Sequence, residues 1–365
     1  MPVHAISAQS GSRRGVPHGR FRIPAAGTSV PMLPGMRPMV HVIINGHGPF
    51  RMLIETGSRI SYLLPAQYTS TFSRDSARPT DLYRIGDATL TGITIHRNGR
   101  IGLPGVDGLL GLDALYDAQI TLDFPRGALR LSRDTLPAAN GRDVIRLGVS
   151  SLFWTVPMTL DTTMVDAIID TQSALSVSTS NASAARLRLM TAPVAVGRAR
   201  GPTIGNVIVR RTRLDGNARI GDAELERPLI DLLPLARHLP PRAFILGLQV
   251  LTSFAFTIDQ RVGRARFARD NRVVGPPPPA YATGMSTTQR SDGTRVVLDV
   301  LESTASAEAG LTPGDVILRV DGRASSDMTD VEWVDAIGGR LPLQLRVRRN
   351  GTERDVLLTP RYLGF

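Results

Sequence analysis

The stretch Arg51-Met-Leu-Ile-Glu-Thr-Gly-Ser58 has a counterpart further along the chain, Asp166-Ala-Ile-Ile-Asp-Thr-Gln-Ser173. Both contain three apolar residues followed by an acid, a threonine, one further residue and a serine. Each is preceded by another apolar run and a turn, which predicts a β-hairpin that ends in a loop carrying the acid. The two stretches therefore indicate two copies of one unit.

A second internal match supports this duplication. Segment 110–131 aligns without a gap with segment 246–267, and eight of the 22 aligned positions are identical. Repetition of a supersecondary unit predicts two halves of similar architecture. The chain is therefore predicted to be mainly β, with two similar β-barrel lobes that face each other across a cleft and are related by a pseudo-twofold axis.

The acids of the two loops, Glu55 and Asp170, would meet at that axis. Two carboxyl groups a few ångströms apart push their pKa values apart, so one keeps its proton while the other is ionised. The ionised group can take a proton from water, and the neutral group can protonate a carbonyl oxygen. Thr56 and Thr171 can form hydrogen bonds across the axis and hold the two loops together.

At these residues the chain resembles the retropepsin-like aspartic proteases, in the bacterial arrangement of two fused lobes followed by a PDZ domain. The resemblance covers roughly residues 38–365. It implies pepsin- or retropepsin-like lobes, an aspartic-type endopeptidase acting on polypeptides, and no metal or organic cofactor. It also implies that Glu55, Asp170, Thr56 and Thr171 are the catalytic residues. The motifs that carry it are Ile54-Glu-Thr-Gly-Ser58, Leu109-Leu-Gly111, Ile169-Asp-Thr-Gln-Ser173 and Ile245-Leu-Gly247.

The chain departs from the family pattern, which has Asp-Thr-Gly in both lobes. Glu55 is one methylene longer than Asp, and a misplacement of about 1 Å can cost on the order of a hundredfold in rate. Gln172 stands where the family has Gly, and its side chain would strain the turn or fill the site. Two functions therefore stay open: an endopeptidase, or a catalytically inactive pseudo-protease that serves as a peptide- or protein-binding module.

The C-terminal stretch Ser306-Ala-Glu-Ala-Gly-Leu-Thr-Pro-Gly-Asp-Val-Ile-Leu-Arg-Val-Asp-Gly322 resembles a bacterial PDZ domain, with a groove helix predicted over residues 330–337. PDZ domains bind an extended peptide at a sheet edge and often hold its terminal carboxylate with backbone N–H groups. The resemblance implies that Thr283, Gly284 and Met285 bind peptide and that the domain binds protein C-termini.

A run of prolines and a polar stretch without acids predict the domain boundaries. Four consecutive prolines, Pro276 to Pro279, cannot join a sheet ladder and favour an extended spacer. The stretch 1–30 is polar, contains Arg and lacks acids, which is typical of a disordered tail. The predicted organisation is a disordered basic tail at 1–30, an aspartic-protease-like lobe 1 at 31–139, lobe 2 at 140–275, a Pro linker at 276–280 and a PDZ domain at 281–365.

The composition excludes several classes of function. The 365 residues include neither Cys nor Lys, which excludes disulfides, thiolate metal sites, cysteine nucleophiles and Walker A or Schiff-base lysines. The net charge of +11 comes from dispersed Arg without interleaved aromatic residues, so no nucleic-acid partner is predicted. No metal site is predicted, because the six His lack metal-ligand spacing.

The sequence predicts no membrane span, because no stretch reaches the roughly 20 apolar residues that one needs. No signal peptide is recognisable at the start. The compartment stays unknown: cytoplasmic as written, periplasmic or secreted if the start is misassigned.

Overall fold

The computed structural model describes residues 18–72, 81–98, 105–150, 153–201, 205–236, 239–269, 273–275, 280–290 and 292–365. Over these ranges the chain is mainly β, with two facing lobes followed by a separate C-terminal unit, so the predicted two-lobed β architecture is confirmed. The predicted Pro linker lies largely outside the described residues, as does the stretch 1–17. Within the described ranges, no helix is long and apolar enough to cross a membrane.

Lobe one is built on a sheet with strand order β1-β7-β6-β3-β4-β9-β5-β8. In the described part of this lobe, one α-helix, α1 (Pro65–Thr71), accompanies the sheet. The strands are β1 (Arg20–Arg22), β2 (Thr28–Pro31), β3 (Met39–Ile44), β4 (His47–Ile54), β5 (Tyr62–Leu63), β6 (Tyr83–Ile85), β7 (Ala88–Thr91), β8 (His96–Arg97), β9 (Gly108–Leu110), β10 (Gln119–Asp123) and β11 (Ala128–Ser132).

Part of the predicted tail belongs to this lobe. Strand β1 pairs with β7, and Phe21 at its centre is only 1% exposed. Strand β2 pairs with β11, and Val30 packs against the core of the lobes. The prediction of a disordered tail over residues 1–30 is therefore wrong for residues 18–30. The reason is that isolated apolar side chains in a polar stretch find partners on strands far away in sequence.

Lobe two is built on a larger sheet with strand order β17-β18-β21-β16-β22-β15-β14-β19-β20-β25, and β13 also pairs with β14. Two short helices are α2 (Asn181–Ala184) and α3 (Leu248–Leu251). The strands are β12 (Val144–Arg146), β13 (Gly148–Ser150), β14 (Phe153–Leu160), β15 (Thr163–Ile169), β16 (Val177–Thr179), β17 (Val194–Gly201), β18 (Gly205–Arg213), β19 (Asn217–Ile220), β20 (Ala223–Glu226), β21 (Leu229–Leu232), β22 (Phe244–Leu246), β23 (Ala255–Asp259), β24 (Arg264–Ala268) and β25 (Val273–Val274).

A third sheet joins the lobes, with three strands from each in the order β12-β24-β23-β10-β11-β2. At its centre β10 and β23 pair antiparallel, and Thr121 lies directly opposite Thr257. These two residues occupy matching positions of the sequence repeat, and their hydroxyl groups are 2.9 Å apart. An antiparallel pair of matching residues defines a local twofold axis, so the predicted pseudo-twofold passes through this sheet. Buried apolar residues of both lobes form one continuous core.

The C-terminal unit has its own apolar core, which includes Trp333. Its main sheet has the order β27-β28-β29-β31-β32, and helix α5 (Asp330–Gly338) begins with a capping box between Thr329 and Glu332. A second short helix is α4 (Ala305–Glu308). The strands are β26 (Tyr281–Ala282), β27 (Met285–Gln289), β28 (Arg295–Val300), β29 (Val316–Val320), β30 (Arg323–Ala324), β31 (Leu343–Arg349), β32 (Thr352–Leu358) and β33 (Arg361–Tyr362).

Candidate active site

The two acid loops follow strands β4 and β15. Strand β4 has β9 as its parallel neighbour, and β15 has β22; each neighbour ends at a Leu that is followed by Gly. A Cβ atom at Gly111 would lie 2.7 Å from the carbonyl oxygen of Ile60, and one at Gly247 would lie 2.3 Å from that of Leu175. Only glycine allows so close an approach. Both glycines therefore let the chain pass directly beside an acid loop.

Thr56 and Thr171 connect the two loops across the pseudo-twofold axis. The backbone N–H of Thr56 donates to Oγ1 of Thr171 at 3.0 Å, and the N–H of Thr171 donates to Oγ1 of Thr56 at 3.2 Å. Each hydroxyl group in turn donates to the opposite lobe, that of Thr56 to the carbonyl of Ile169 and that of Thr171 to the carbonyl of Ile54, at 2.8 and 2.7 Å. Both threonines are buried, so this reciprocal network fixes the two loops against each other.

The network brings the carboxyl groups of Glu55 and Asp170 to one point. A Cβ atom at Gly57 would lie 2.8 Å from Oε1 of Glu55 and 2.9 Å from Oδ1 of Asp170. Glu55 is buried, whereas Asp170 is partly accessible. The sequence predicted that these two acids lie close together, and the structure places their side chains side by side.

Backbone N–H groups hold each carboxylate. The N–H of Gly57 donates to Glu55 Oε1 at 2.6 Å. The matching N–H of Gln172 donates to Asp170 Oδ1 at 2.9 Å, and that of Ser173 donates to the same oxygen at 3.1 Å. Among the described residues, Oε2 of Glu55 is buried and accepts no hydrogen bond. Asp170 therefore has more donors to stabilise its charged form than Glu55 has.

Burial, the neighbouring charge and the backbone donors set the pKa values of the pair. Burial raises the pKa of Glu55 well above its usual range, and the adjacent charge of Asp170 raises it further. Burial also raises the pKa of Asp170, but the N–H groups of Gln172 and Ser173 oppose that rise. Glu55 is therefore the group that keeps its proton, and Asp170 is the group that ionises first.

The two departures from the family pattern fit this loop geometry. Neither Gly57 nor Gln172 has a positive φ, so a side chain at this turn causes no left-handed strain. The longer side chain of Glu55 still accepts a hydrogen bond from the N–H two residues later, as Asp170 does in its own loop. The structure therefore gives no sign that Gln172 strains its turn.

Three supporting groups were not found by sequence reasoning. Asp113 accepts hydrogen bonds from the N–H and hydroxyl of Ser61 at 3.2 and 2.7 Å, and Asp231 accepts one from the N–H of Ser176 at 2.9 Å. Both serines lie six positions after the acid of their lobe. Arg37 is the third group, and its positive charge lowers the pKa of both carboxyl groups of the pair. Only the spacing of the serines was readable in the sequence.

The predicted peptide-binding residues of the C-terminal unit lie at the start of β27. The carbonyl of Thr283 accepts from the N–H of Ser306 at 2.9 Å. Gly284 has φ +80°, and a Cβ atom there would lie 2.3 Å from the side chain of Thr304. The side chain of Met285 is 4% exposed and belongs to the core. The loop backbone of Thr283 and Gly284 is thus held by the segment around α4.

Residues 282–359 match the family model of the PDZ domain, so the C-terminal unit is a PDZ domain. The described chain thus comprises two β lobes whose acid loops face each other, followed by this domain. Metalloprotease MmpA of Caulobacter vibrioides is 35% identical over 63 residues, which cover 17% of this chain and only 16% of that protein. Among the described residues, no group of three or more His, Asp and Glu is placed to hold a metal ion.

Three solved structures show similarity. Aspartic proteinase from Irpex lacteus is similar over 67% of this chain and 98% of its own, with 14% identity and a TM-score of 0.45. The PDZ domain of HtrA3 bound to a phage-derived ligand is similar over 22% of this chain and 85% of its own, with 23% identity and a TM-score of 0.21. The photosystem II D1 C-terminal processing protease is similar over 24% of this chain and 25% of its own, with 23% identity and a TM-score of 0.22.

Proposed function

We propose that the protein is an aspartic-type endopeptidase whose PDZ domain recruits the polypeptide. The observation that carries the proposal is the convergence of Glu55 and Asp170 on one point, held there by the reciprocal bonds of Thr56 and Thr171. Two carboxyl groups in contact, one protonated and one ionised, are the requirement for acid and base assistance at a single site.

The donors around each acid assign the roles. Asp170, as carboxylate, takes a proton from a water molecule, whose oxygen attacks the carbonyl carbon of the peptide bond. Glu55, as carboxylic acid, gives its proton to the carbonyl oxygen. Collapse of the tetrahedral intermediate breaks the C–N bond: the proton on Asp170 passes to the leaving nitrogen, and one hydroxyl group of the intermediate returns its proton to Glu55 as the new carbonyl forms. The greater rise in the pKa of Glu55 supports its role as the acid.

Cleavage of fluorescein-labelled casein at acidic and neutral pH tests this proposal. We expect Asp170→Asn to lower the rate by on the order of a hundredfold or more, because the base is lost. Asp166→Asn is the matched control, since Asp166 is exposed on β15, the strand that leads into Asp170, and it should cleave like the wild type. Equal rates for the wild type and Asp170→Asn would contradict the proposal.

A second candidate is a catalytically inactive protein that binds polypeptide in the same cleft. The observation that favours it is Glu55 itself, because a longer acid places the carboxyl group differently from Asp. This candidate predicts that neither the wild type nor Asp170→Asn cleaves casein, while both bind it with equal affinity in a fluorescence anisotropy titration.

A further inference from the structure

Strands β17 and β18 form a hairpin of lobe two, here called the lobe-two hairpin, that contacts the PDZ domain. Strand β17 packs against β27 and β28. Arg198 of β17 forms an ion pair with Asp299 of β28, and both side chains are partly buried, at 31% and 20% exposure. Such a pair, partly removed from solvent, is screened less than one on the open surface. The hairpin is therefore attached to the PDZ sheet by packing and by charge.

The contact lies at the open edge of the PDZ sheet. Strand β27 is at the end of the strand order, with β28 as its neighbour. The N–H of Leu301 donates to the carbonyl of Gly284, and the N–H of Val300 donates to the side chain of Asp299. Because carbonyl directions alternate along an antiparallel ladder, the carbonyl of Met285 points away from β28. A Cβ atom at Gly197 of β17 would lie 3.8 Å from that oxygen.

A peptide that adds to a PDZ sheet needs this same edge. An added strand lies about 4.8 Å from its neighbour and bonds to the carbonyl and N–H groups that point outward. Strand β17 lies against this edge without forming a ladder with β27, since in the described part of the chain β27 pairs with β28 only. A ligand strand and β17 cannot both lie beside Met285.

We propose that the lobe-two hairpin is an internal competitor for the PDZ peptide site. A polypeptide C-terminus that pairs with β27 displaces β17 and separates Arg198 from Asp299. The hairpin is continuous, through β21, with β16, which begins shortly after Asp170 in the chain. Occupancy of the PDZ domain is thus coupled to the lobe that carries Asp170, and the coupling acts in both directions. This last step, the effect on the cleft, rests on the proposed function.

The test of competition needs no peptidase activity, so its failure is distinguishable from failure of the proposed function. The probe is an array of decapeptides that carry each of the twenty amino acids at the C-terminus, as free acids and as amides. The variant Arg198→Glu places a like charge beside Asp299. The control Arg210→Glu makes the same charge change at an exposed position of the same hairpin.

We expect free-acid peptides to bind Arg198→Glu about fivefold more tightly than the wild type, since the loss of about 1 kcal/mol of hairpin docking corresponds to that factor. Arg210→Glu should bind like the wild type. Arg198→Glu combined with Asp299→Arg should return to the affinity of the wild type, which separates the ion pair from general damage to the fold. Equal affinities for the wild type and Arg198→Glu, or no binding of any free-acid peptide, would overturn the proposal.

Hydrogen exchange on the full wild-type chain gives a second readout. On addition of the tightest free-acid peptide, deuterium uptake should fall in residues 285–289 and rise in residues 194–201, because one strand replaces the other. Protection of both segments together would show that the hairpin and the peptide bind at once, and would overturn the competition.

Discussion

Replacement of Thr171 by Val removes the hydroxyl group that connects the two acid loops, and we expect a large loss of stability. That hydroxyl accepts from the N–H of Thr56 at 3.0 Å and donates to the carbonyl of Ile54 at 2.7 Å. Val has nearly the same shape, so no cavity forms, but two buried backbone groups lose a partner. Each such group costs about 1–3 kcal/mol, which gives a decrease of about 2–6 kcal/mol in the free energy of unfolding.

Urea denaturation followed by tryptophan fluorescence measures this loss. The chain has two Trp, and a Trp333→Phe background leaves Trp154 as the reporter. Trp154 donates to Gln260 at 2.8 Å, and Gln260 donates to the carbonyl of Leu112 in lobe one at 3.3 Å. The indole therefore lies where the two lobes meet, and its emission reports on their separation or unfolding.

The pair Thr121 and Thr257 supplies a matched control. Their hydroxyl groups bond to each other across the lobes at 2.9 Å. The double variant Thr121→Val with Thr257→Val removes both partners at once, which is nearly neutral, within about 1 kcal/mol. If Thr171→Val costs less than about 1 kcal/mol, or no more than this control, then the threonine network does not hold the loops together and the reasoning is refuted.

Three further predictions concern charge and backbone geometry. Because the pKa values of Glu55 and Asp170 are raised on folding, the contribution of this pair to stability is fully present below the unfolded-state pKa values and is lost as pH rises through the folded-state values. The urea midpoint of the wild type should therefore fall more steeply over this pH range than that of Glu55→Gln, and equal slopes would contradict the burial of Glu55. Arg37→Met removes a charge that lowers both pKa values, so the acidic limb of the activity profile should move to higher pH, and an unmoved limb would exclude Arg37 from the site. Gly284→Ala combines φ +80° with a Cβ atom 2.3 Å from Thr304, so thermal unfolding of the PDZ domain should show a loss of about 1–3 kcal/mol, and a neutral result would mean that the loop relaxes freely.

Sequence alone was sufficient for the duplicated plan and for the acids at its centre. The acid-Thr stretches and the Leu-Gly repeats are local patterns with a fixed spacing, and a repeated unit with an apolar face must pack against its copy. The positions of Glu55, Asp170, Thr56 and Thr171 followed from that symmetry. The PDZ unit was readable for the same reason, because its turns and strands have strong local signals.

The tertiary structure decided what depends on contacts between distant segments. Strand β1 forms only because Phe21 pairs with Leu90 on a strand remote in sequence, and nothing periodic in its own stretch predicts it. The charge of Arg37 lowers the pKa of both acids through space, so no sequence motif indicates its role. The lobe-two hairpin and the edge of β27 are each readable as strands, but their contact depends on how the PDZ domain docks. Local pattern specifies which strands form, whereas burial and charge pairing among remote residues determine which surfaces meet.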